Sequence, residues 1–159
     1  MILIALGSNV KGPWGSPRQT VERAIAELDR FPLRVMRAST LIETAPFGVI
    51  NQPNFVNGVV TVETALAPHS LLHRLHAIEK AAGRRRRRRW GPRTLDLDII
   101  DWNGVQITSA LPSSQALVLP HPGIAERSFV LQPIAEIAPR WKHPVSHRSA
   151  LEMLKALDH

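Results

Sequence analysis

The chain of 159 residues contains no cysteine and no tyrosine, and only 5% of its residues are aromatic. Without cysteine there is no disulfide framework and no thiolate zinc site. No apolar run approaches the roughly 20 residues that a membrane-spanning helix needs. The N-terminal Met1-Ile2-Leu3-Ile4-Ala5-Leu6-Gly7 also lacks the basic region and cleavage site of a secretory signal. A cytoplasmic protein with no membrane segment is the expectation. Acidic residues are few as well: 13 Asp and Glu stand against 20 Lys and Arg, a formal net charge of +7. That excess favours anionic ligands, and on charge alone nucleotide, nucleic acid and anionic membrane all qualify. The remaining composition is ordinary. A hydrophobic content of 44% places the chain among globular proteins, and its length suits one domain, residues 1–159, with a respectable core.

The positive charge is concentrated at one place. Arg84 to Arg89 form an unbroken arginine run, followed directly by Trp90-Gly91-Pro92-Arg93-Thr94-Leu95-Asp96-Leu97-Asp98-Ile99-Ile100. The second part reads as a buried strand, in which Asp96 and Asp98 share one face while Leu97 and Ile99 share the other. Two carboxylates on one sheet face repel and are costly to desolvate. A hard divalent cation reverses that balance, because Mg²⁺ favours one or two carboxylates together with substrate phosphates. Arginines supply the complement, since the guanidinium fork matches phosphate oxygens in pairs. Taken singly, an Asp-x-Asp pair on a strand is common, and an arginine run is more often a solvated loop or a basic patch. Their adjacency strengthens both readings, because the Gly91-Pro92 turn can fold the basic loop back over the strand.

Along the rest of the chain strands and helices alternate without a linker or repeat. Strand Ile2–Leu6 leads into a glycine-rich loop from Gly7 to Gly15. Ser16 then caps a helix with Pro17 at its first position and Val21, Ala24, Ile25 and Leu28 on its apolar face. Leu33–Glu43 and Phe55–Thr64 read as strands, the second interrupted by Gly58 as a candidate bulge. Between them a long loop rich in breakers runs from Thr44 to Asn54. Pro68 opens a second helix with Leu71, Leu72, Leu75 and Ile78 facing the core, and Gly83 ends it. Strand Leu95–Trp102 is followed by Asn103-Gly104, a hairpin-turn signal, and 127–137 and 150–157 look helical. The order β-α-β-β-α-β is that of a ferredoxin-like α+β fold, an antiparallel sheet with helices packed on it and here a C-terminal extension. In that fold the helices take one sheet face, and loops on the other side are free to build a site.

Some motifs read as inert. His69, His73 and His76 have helical spacing that could bind a transition metal, but they lie off the leucine stripe and read as a solvated face. The Gly7-Ser8-Asn9 segment lacks the lysine and glycine spacing of a Walker A loop. Trp102 and Trp141 are most simply packing residues. A nucleic-acid-binding module using the arginine run as an electrostatic clamp is the alternative from another class. It fits less well: RNA-recognition domains of this strand order present aromatics in a signature absent here, and Asp96 and Asp98 would repel a phosphate backbone. A nucleotide binder without catalytic activity is a third reading.

Several segments in order carry a more specific likeness. They are Ala5-Leu6-Gly7-Ser8-Asn9; Glu43-Thr44 with Pro46 and Gly48; Gln52-Pro53-Asn54-Phe55-Val56-Asn57; Glu79; Gly83-Arg84 and Arg86; Arg89 to Asp98; Pro120-His121-Pro122; and Arg127 with Phe129-Val130-Leu131. Through them the chain resembles the 6-hydroxymethyl-7,8-dihydropterin pyrophosphokinases of folate biosynthesis. The resemblance implies that the pterin hydroxymethyl oxygen attacks the β-phosphorus of ATP, giving the pterin diphosphate and AMP. It implies that Asp96 and Asp98 hold two Mg²⁺ ions and that Arg84, Arg86 and Arg93 contact phosphate, these five forming the catalytic set. Glu79, Trp90, Ile99, His121 and Arg127 join the three arginines at the nucleotide. For the pterin it implies stacking between Phe55 and Phe129, hydrogen bonding by Asn57, loop contacts from Thr44 and Phe47, and further contacts from Trp90 and Asp96. Without the resemblance, Phe55 and Phe129 would read as core and Asn57 as a turn or bulge residue. The implied partners are ATP and the pterin, with no nucleic acid and no membrane, on a chain expected to be monomeric. The chain departs from relatives at Ala116 and Val118, where some place Arg and Thr, and at Phe55, where some carry tyrosine; Arg85, Arg87 and Arg88 receive no individual role.

Overall fold

The computed structural model describes residues 1–44, 54–84, 94–108 and 116–158. In chain order the elements are β1 (Ile2–Ser8), α1 (Pro17–Leu28), β2 (Leu33–Ala38), β3 (Ile42–Thr44), β4 (Phe55–Thr64), α2 (Pro68–Ala81), β5 (Asp96–Trp102), β6 (Ile107–Thr108), β7 (Val118–Leu119), α3 (Ser128–Ile137) and α4 (Ala150–Leu157). A short 3₁₀ turn, Ile124–Glu126, precedes α3. The apolar N-terminal run becomes the central strand, with β4 and β5 antiparallel on its two sides. Strand β2 forms the outer edge, giving the order β2-β4-β1-β5, and β3 pairs with β4 beside the end of β2. This is the ferredoxin-like order expected from the alternation of elements.

Local chemistry explains where the helices begin and end. Ser16 and Gln19 form a reciprocal capping box: the Gln19 N–H donates to Ser16 Oγ at 3.2 Å, and the Ser16 N–H donates to Gln19 Oε1 at 2.9 Å, satisfying two donors a helix start leaves open. Helix α2 starts at Pro68, and the chain leaves it through Gly83 at φ +89°, a conformation that favours glycine.

Alternation along the strands divides the apolar residues between two cores. Ile2, Ile4 and Leu6 of β1, with Val56, Val60 and Val62 of β4 and Leu97 and Ile99 of β5, pack against Val21, Ala24 and Leu28 of α1 and Leu71, Leu75 and Ile78 of α2. On the opposite face Leu3, Val59 and Ile100 pack with Val130, Leu131 and Ile134 of α3, Trp141, and Met153 of α4. The expectation that helices cover one face only is therefore corrected. The C-terminal extension supplies a second helical layer, because the pattern of β1, β4 and β5 leaves apolar residues on both faces.

Four local expectations also change. Strand β1 runs on through Gly7 and Ser8, which pair with Asn57 and Val56, so the loop begins later than Gly7. The stretch 33–43 is split into β2 and β3. Between them Ser39 takes over the pairing, its N–H donating to the Val59 carbonyl and its Oγ accepting from the Val59 N–H, each at 2.9 Å. Gly58 is no bulge in this pairing, being in register with Leu6. It is needed for close approach, since a Cβ there would lie 2.7 Å from Leu41 Cδ2. Finally, Asn103 and Gly104 do turn the chain, at φ 51° and 74°, but β6 pairs with β7 and not with β5.

The second layer is anchored by a buried carboxylate. Asp101, 3% exposed, accepts from Trp141 Nε1 at 2.7 Å and from the Gly104 N–H at 2.9 Å. Asp101→Ala leaves a buried indole N–H unsatisfied and should cost about 1–3 kcal/mol, read as a lower midpoint in urea unfolding. A midpoint equal to that of the parent would mean the bond does not anchor the extension.

Candidate active site

The strand register builds the site. In antiparallel pairing, residues directly opposite share a face. Gly7 lies opposite both Asn57 and Asp96, so amide, glycine and carboxylate form one row across β4, β1 and β5. The next row is Val59, Ala5 and Asp98. Beyond it the face turns apolar at Leu3 and Ile100, under α3 and α4. The row Asn57, Gly7 and Asp96 therefore lies at the margin of the second core, which already takes in Val59 and Ala5 beside Asp98. Phe55, two residues before Asn57, belongs to the same face and is half-buried, and Phe129 in the first turn of α3 packs at the margin of the second core. Asn57 is buried, and its Nδ2 donates to Thr44 Oγ1 at 2.8 Å. Thr44 thus fixes which end of the carboxamide faces the site.

Charges at the carboxylate end are locked together. Arg84 Nη1 donates to Glu79 Oε2 at 2.5 Å and to Asp96 Oδ1 at 2.7 Å. The Leu97 N–H donates to the same Glu79 oxygen at 2.8 Å, so one buried glutamate fastens α2, the start of the arginine segment and β5. Burial works against the Arg84 charge, but Asp96 and Glu79 outweigh it and raise its pKa. Asp98 is in the opposite position. Burial, then the negative charges of Asp96 and Glu79, push its carboxyl up to about 7, against weaker relief from Arg127 and Arg84. A carboxyl so raised is an electrostatic demand for a further cation.

His121 and Arg127 border the same carboxylates. The His121 N–H donates to the Ile100 carbonyl at 2.9 Å, which ties the Pro-His-Pro segment to β5. Burial and then Arg127 lower the His121 pKa to about 4, so the ring is neutral. Its Nδ1 accepts from the Gly123 N–H at 3.1 Å, which leaves the ring proton on Nε2 as a donor. Gly123 packs closely here: a Cβ would stand 3.1 Å from Arg127 Nε and 3.4 Å from His121 Cε1, so the Arg127 side chain would have to give way slightly.

Of the residues expected at the site, the structure gathers Thr44, Phe55, Asn57, Asp96 and Asp98 on or beside one sheet face. It sets Glu79, Arg84, His121 and Arg127 around the carboxylates and Phe129 at the margin. Ile99 differs: its side chain is buried in the core under α1 and α2, on the opposite face. Phe47, Arg86, Trp90 and Arg93 lie outside the described residues. The donor set fits Mg²⁺, since Asp96 and Asp98 offer hard oxygens and Asp98 is short of positive charge. Among the described residues no group of three or more His, Cys, Asp or Glu is placed to hold a metal ion. The joint of Glu79 with Arg84 and Leu97 was not foreseen in the sequence, although a signal existed. Glu79 falls four residues after Leu75, on the buried stripe of α2, and a charge there needs a partner.

Fold and site together define a ferredoxin-like α+β protein with an arrangement chemically suited to a divalent cation, a polyphosphate and a flat polar ligand. The chain matches the family 7,8-dihydro-6-hydroxymethylpterin-pyrophosphokinase (HPPK) over residues 3–139. It is 39% identical over 157 residues to the 2-amino-4-hydroxy-6-hydroxymethyldihydropteridine pyrophosphokinase of Synechocystis, covering 98% of this chain and 75% of that protein. It is 43% identical over 144 residues to the protein of that name from Pseudomonas aeruginosa, covering 90% and 83%. Among solved structures, the Plasmodium falciparum HPPK-DHPS wild type with pteroate superposes with a TM-score of 0.74 at 15% identity, which speaks for the fold alone. That superposition covers 98% of this chain and 44% of the larger one. The chain belongs to the 7,8-dihydro-6-hydroxymethylpterin-pyrophosphokinase family.

The raised Asp98 carboxyl gives a pH-dependent prediction. Its contribution is fully favourable below the ordinary aspartate value of 3.8 and is lost as the pH rises through about 7. In chelator, Asp98→Asn should therefore melt at a higher temperature than the parent at pH 8 and show little gain at pH 4. A gain of equal size at both pH values would show that the Asp98 charge is not what costs stability.

Proposed function

We propose that Asp96 and Asp98 hold the cation, that Arg84 and Arg127 face the phosphates, and that Phe55, Asn57 and Phe129 receive the pterin, in a chain that transfers pyrophosphate from ATP to 6-hydroxymethyl-7,8-dihydropterin and releases AMP. One observation carries this assignment of roles: the row Asn57–Gly7–Asp96 across three strands. It sets the amide that can read a heterocycle's hydrogen-bonding edge beside the carboxylate that can hold a cation at the reacting hydroxyl. Family membership supplies the reaction.

Transfer of this kind requires alignment and charge neutralisation more than covalent catalysis. The hydroxymethyl oxygen bonds to the β-phosphorus and gives up its proton to solvent, the bond from that phosphorus to the oxygen bridging it to the α-phosphorus breaks, and the electron pair leaves with AMP. Phe55 and Phe129 offer aromatic faces to the ring, and Asn57, oriented by Thr44, offers Oδ1 and the remaining Nδ2 hydrogen to its edge. Glu79 acts through Arg84, holding the guanidinium against Asp96 where phosphate oxygens gather. His121 donates from Nε2 toward the nucleotide, remaining neutral at physiological pH. Asp96 and Asp98 would hold Mg²⁺, for which two ions are proposed, and the metal would screen the triphosphate charge and polarise the attacked phosphorus. Arg86, Arg93 and Trp90 are proposed to complete the phosphate side, Phe47 the pterin side, and Ile99 the nucleotide side through its backbone. We further propose a monomeric, single-domain chain working in the cytoplasm; no described helix is long and apolar enough to cross a membrane.

The decisive assay incubates the purified chain with ATP, Mg²⁺ and the pterin and separates the nucleotides by chromatography. AMP formed only when pterin and metal are both present is the expected result. ADP in its place would place the attack on the γ-phosphorus and overturn the reaction as written. Asp96→Ala and Asp98→Ala should each lower turnover at least about a thousandfold, the scale on which removing a key transition-state contact acts, while circular dichroism stays that of the parent. Parental turnover from either variant would remove that carboxylate from the cation site.

A further inference from the structure

Gly7 is the one member of the central row without a side chain, and backbone conformation does not require a glycine there. It sits inside β1, paired on both sides, outside the left-handed region that favours glycine. Glycine in a strand interior weakens the strand relative to alanine, so the reason for it lies in space. A Cβ on Gly7 would stand 2.8 Å from Asn57 Oδ1 and 3.8 Å from Phe55 Cδ1. The first distance is shorter than carbon and oxygen tolerate, so one of the two must move. Asn57 is not free to swing aside, because its Nδ2 is held by Thr44 Oγ1 at 2.8 Å and the residue is buried. A methyl group at position 7 therefore breaks the Asn57–Thr44 bond or tips the carboxamide out of its plane. Although Gly7 lies between Asn57 and Asp96, the three nearest atoms such a Cβ would meet among the described residues belong to Asn57 and Phe55.

We infer that Gly7 is a positioning residue for pterin recognition: its missing side chain leaves the space in which Thr44 holds the Asn57 carboxamide upright beside Phe55. The inference rests on the pterin-side reading of Asn57 proposed above. It makes position 7 a determinant of affinity for a flat heterocycle with an amide-like edge, without bearing on the nucleotide.

The test is a double-mutant cycle of Gly7→Ala and Asn57→Ala in the full chain. Pterin affinity is read by fluorescence titration with Mg²⁺ and a non-hydrolysable ATP analogue, and nucleotide affinity is read separately by calorimetry. Gly7→Ala should weaken pterin binding about tenfold, the scale of one lost hydrogen bond, raise the pterin KM by a similar factor, and leave nucleotide affinity within about twofold. In the Asn57→Ala background the same change should have almost no further effect, since its target is gone. Unchanged pterin affinity in Gly7→Ala, beside a weakened Asn57→Ala, overturns the inference alone, as does full additivity of the two changes. Unchanged pterin affinity in Asn57→Ala overturns the pterin-side reading and the inference with it. Should Gly7→Ala fail to fold, the double variant decides: recovered folding places the clash at Asn57, and continued failure overturns the inference.

Discussion

The antiparallel pairing of β1 with both β4 and β5 is the constraint on which the rest depends. Because side chains alternate and opposed residues share a face, this pairing sorts the residues of three strands together, apart from a shift against β5 between Leu3 and Ile4. Ile2, Ile4 and Leu6 go to the layer of α1 and α2, and Leu3 to the layer of α3 and α4. The same pairing lines up Asn57, Gly7 and Asp96, then Val59, Ala5 and Asp98. A slip of one residue between β1 and β5 would bury the two aspartates under α2 and expose Leu97 and Ile99. Core and site are thus two consequences of one set of backbone hydrogen bonds, and hydrophobic burial protects the geometry of the chemistry.

Charge balance at the carboxylate end follows from that placement. Three acidic groups, Glu79, Asp96 and Asp98, approach one another in a partly buried setting, and Arg84 answers two of them directly. Burial raises the Asp98 carboxyl first, and Asp96 and Glu79 raise it further against weaker relief from Arg127 and Arg84. A polyphosphate carrying a cation brings both signs of charge, the cation suiting Asp98 and the phosphate oxygens suiting Arg84 and Arg127. His121 lies nearby but stays neutral, so it contributes direction without adding charge.

The C-terminal segment has a role beyond covering apolar surface. It carries His121, Arg127 and Phe129 to the rim of the face where the carboxylates stand, while Asp101 and Trp141 tie that layer to β5.

Much of this was legible in the residues themselves. Alternation in Asp96-Leu97-Asp98-Ile99 put the carboxylates on one face, the Ser16-Pro17 start and Gly83 bounded the helices, and the order of elements named the sheet. These signals are local, and local chemistry enforces them: a cap needs an oxygen at a given position, and a strand alternates whatever surrounds it. Other features depend on what stands across a strand boundary. The continuation of β1 through Gly7, the break at Ser39, the close approach at Gly58 and the second helical layer were all decided by pairing partners distant in sequence. So was the setting of Glu79, whose carboxylate bonds Leu97 eighteen positions away. Residue chemistry and local periodicity set which elements form and which residues carry charge or aromatic faces. That Gly7 lies between Asn57 and Asp96 and that Arg84 bridges Glu79 to Asp96 came from packing alone, because proximity between segments is written in no single stretch of chain.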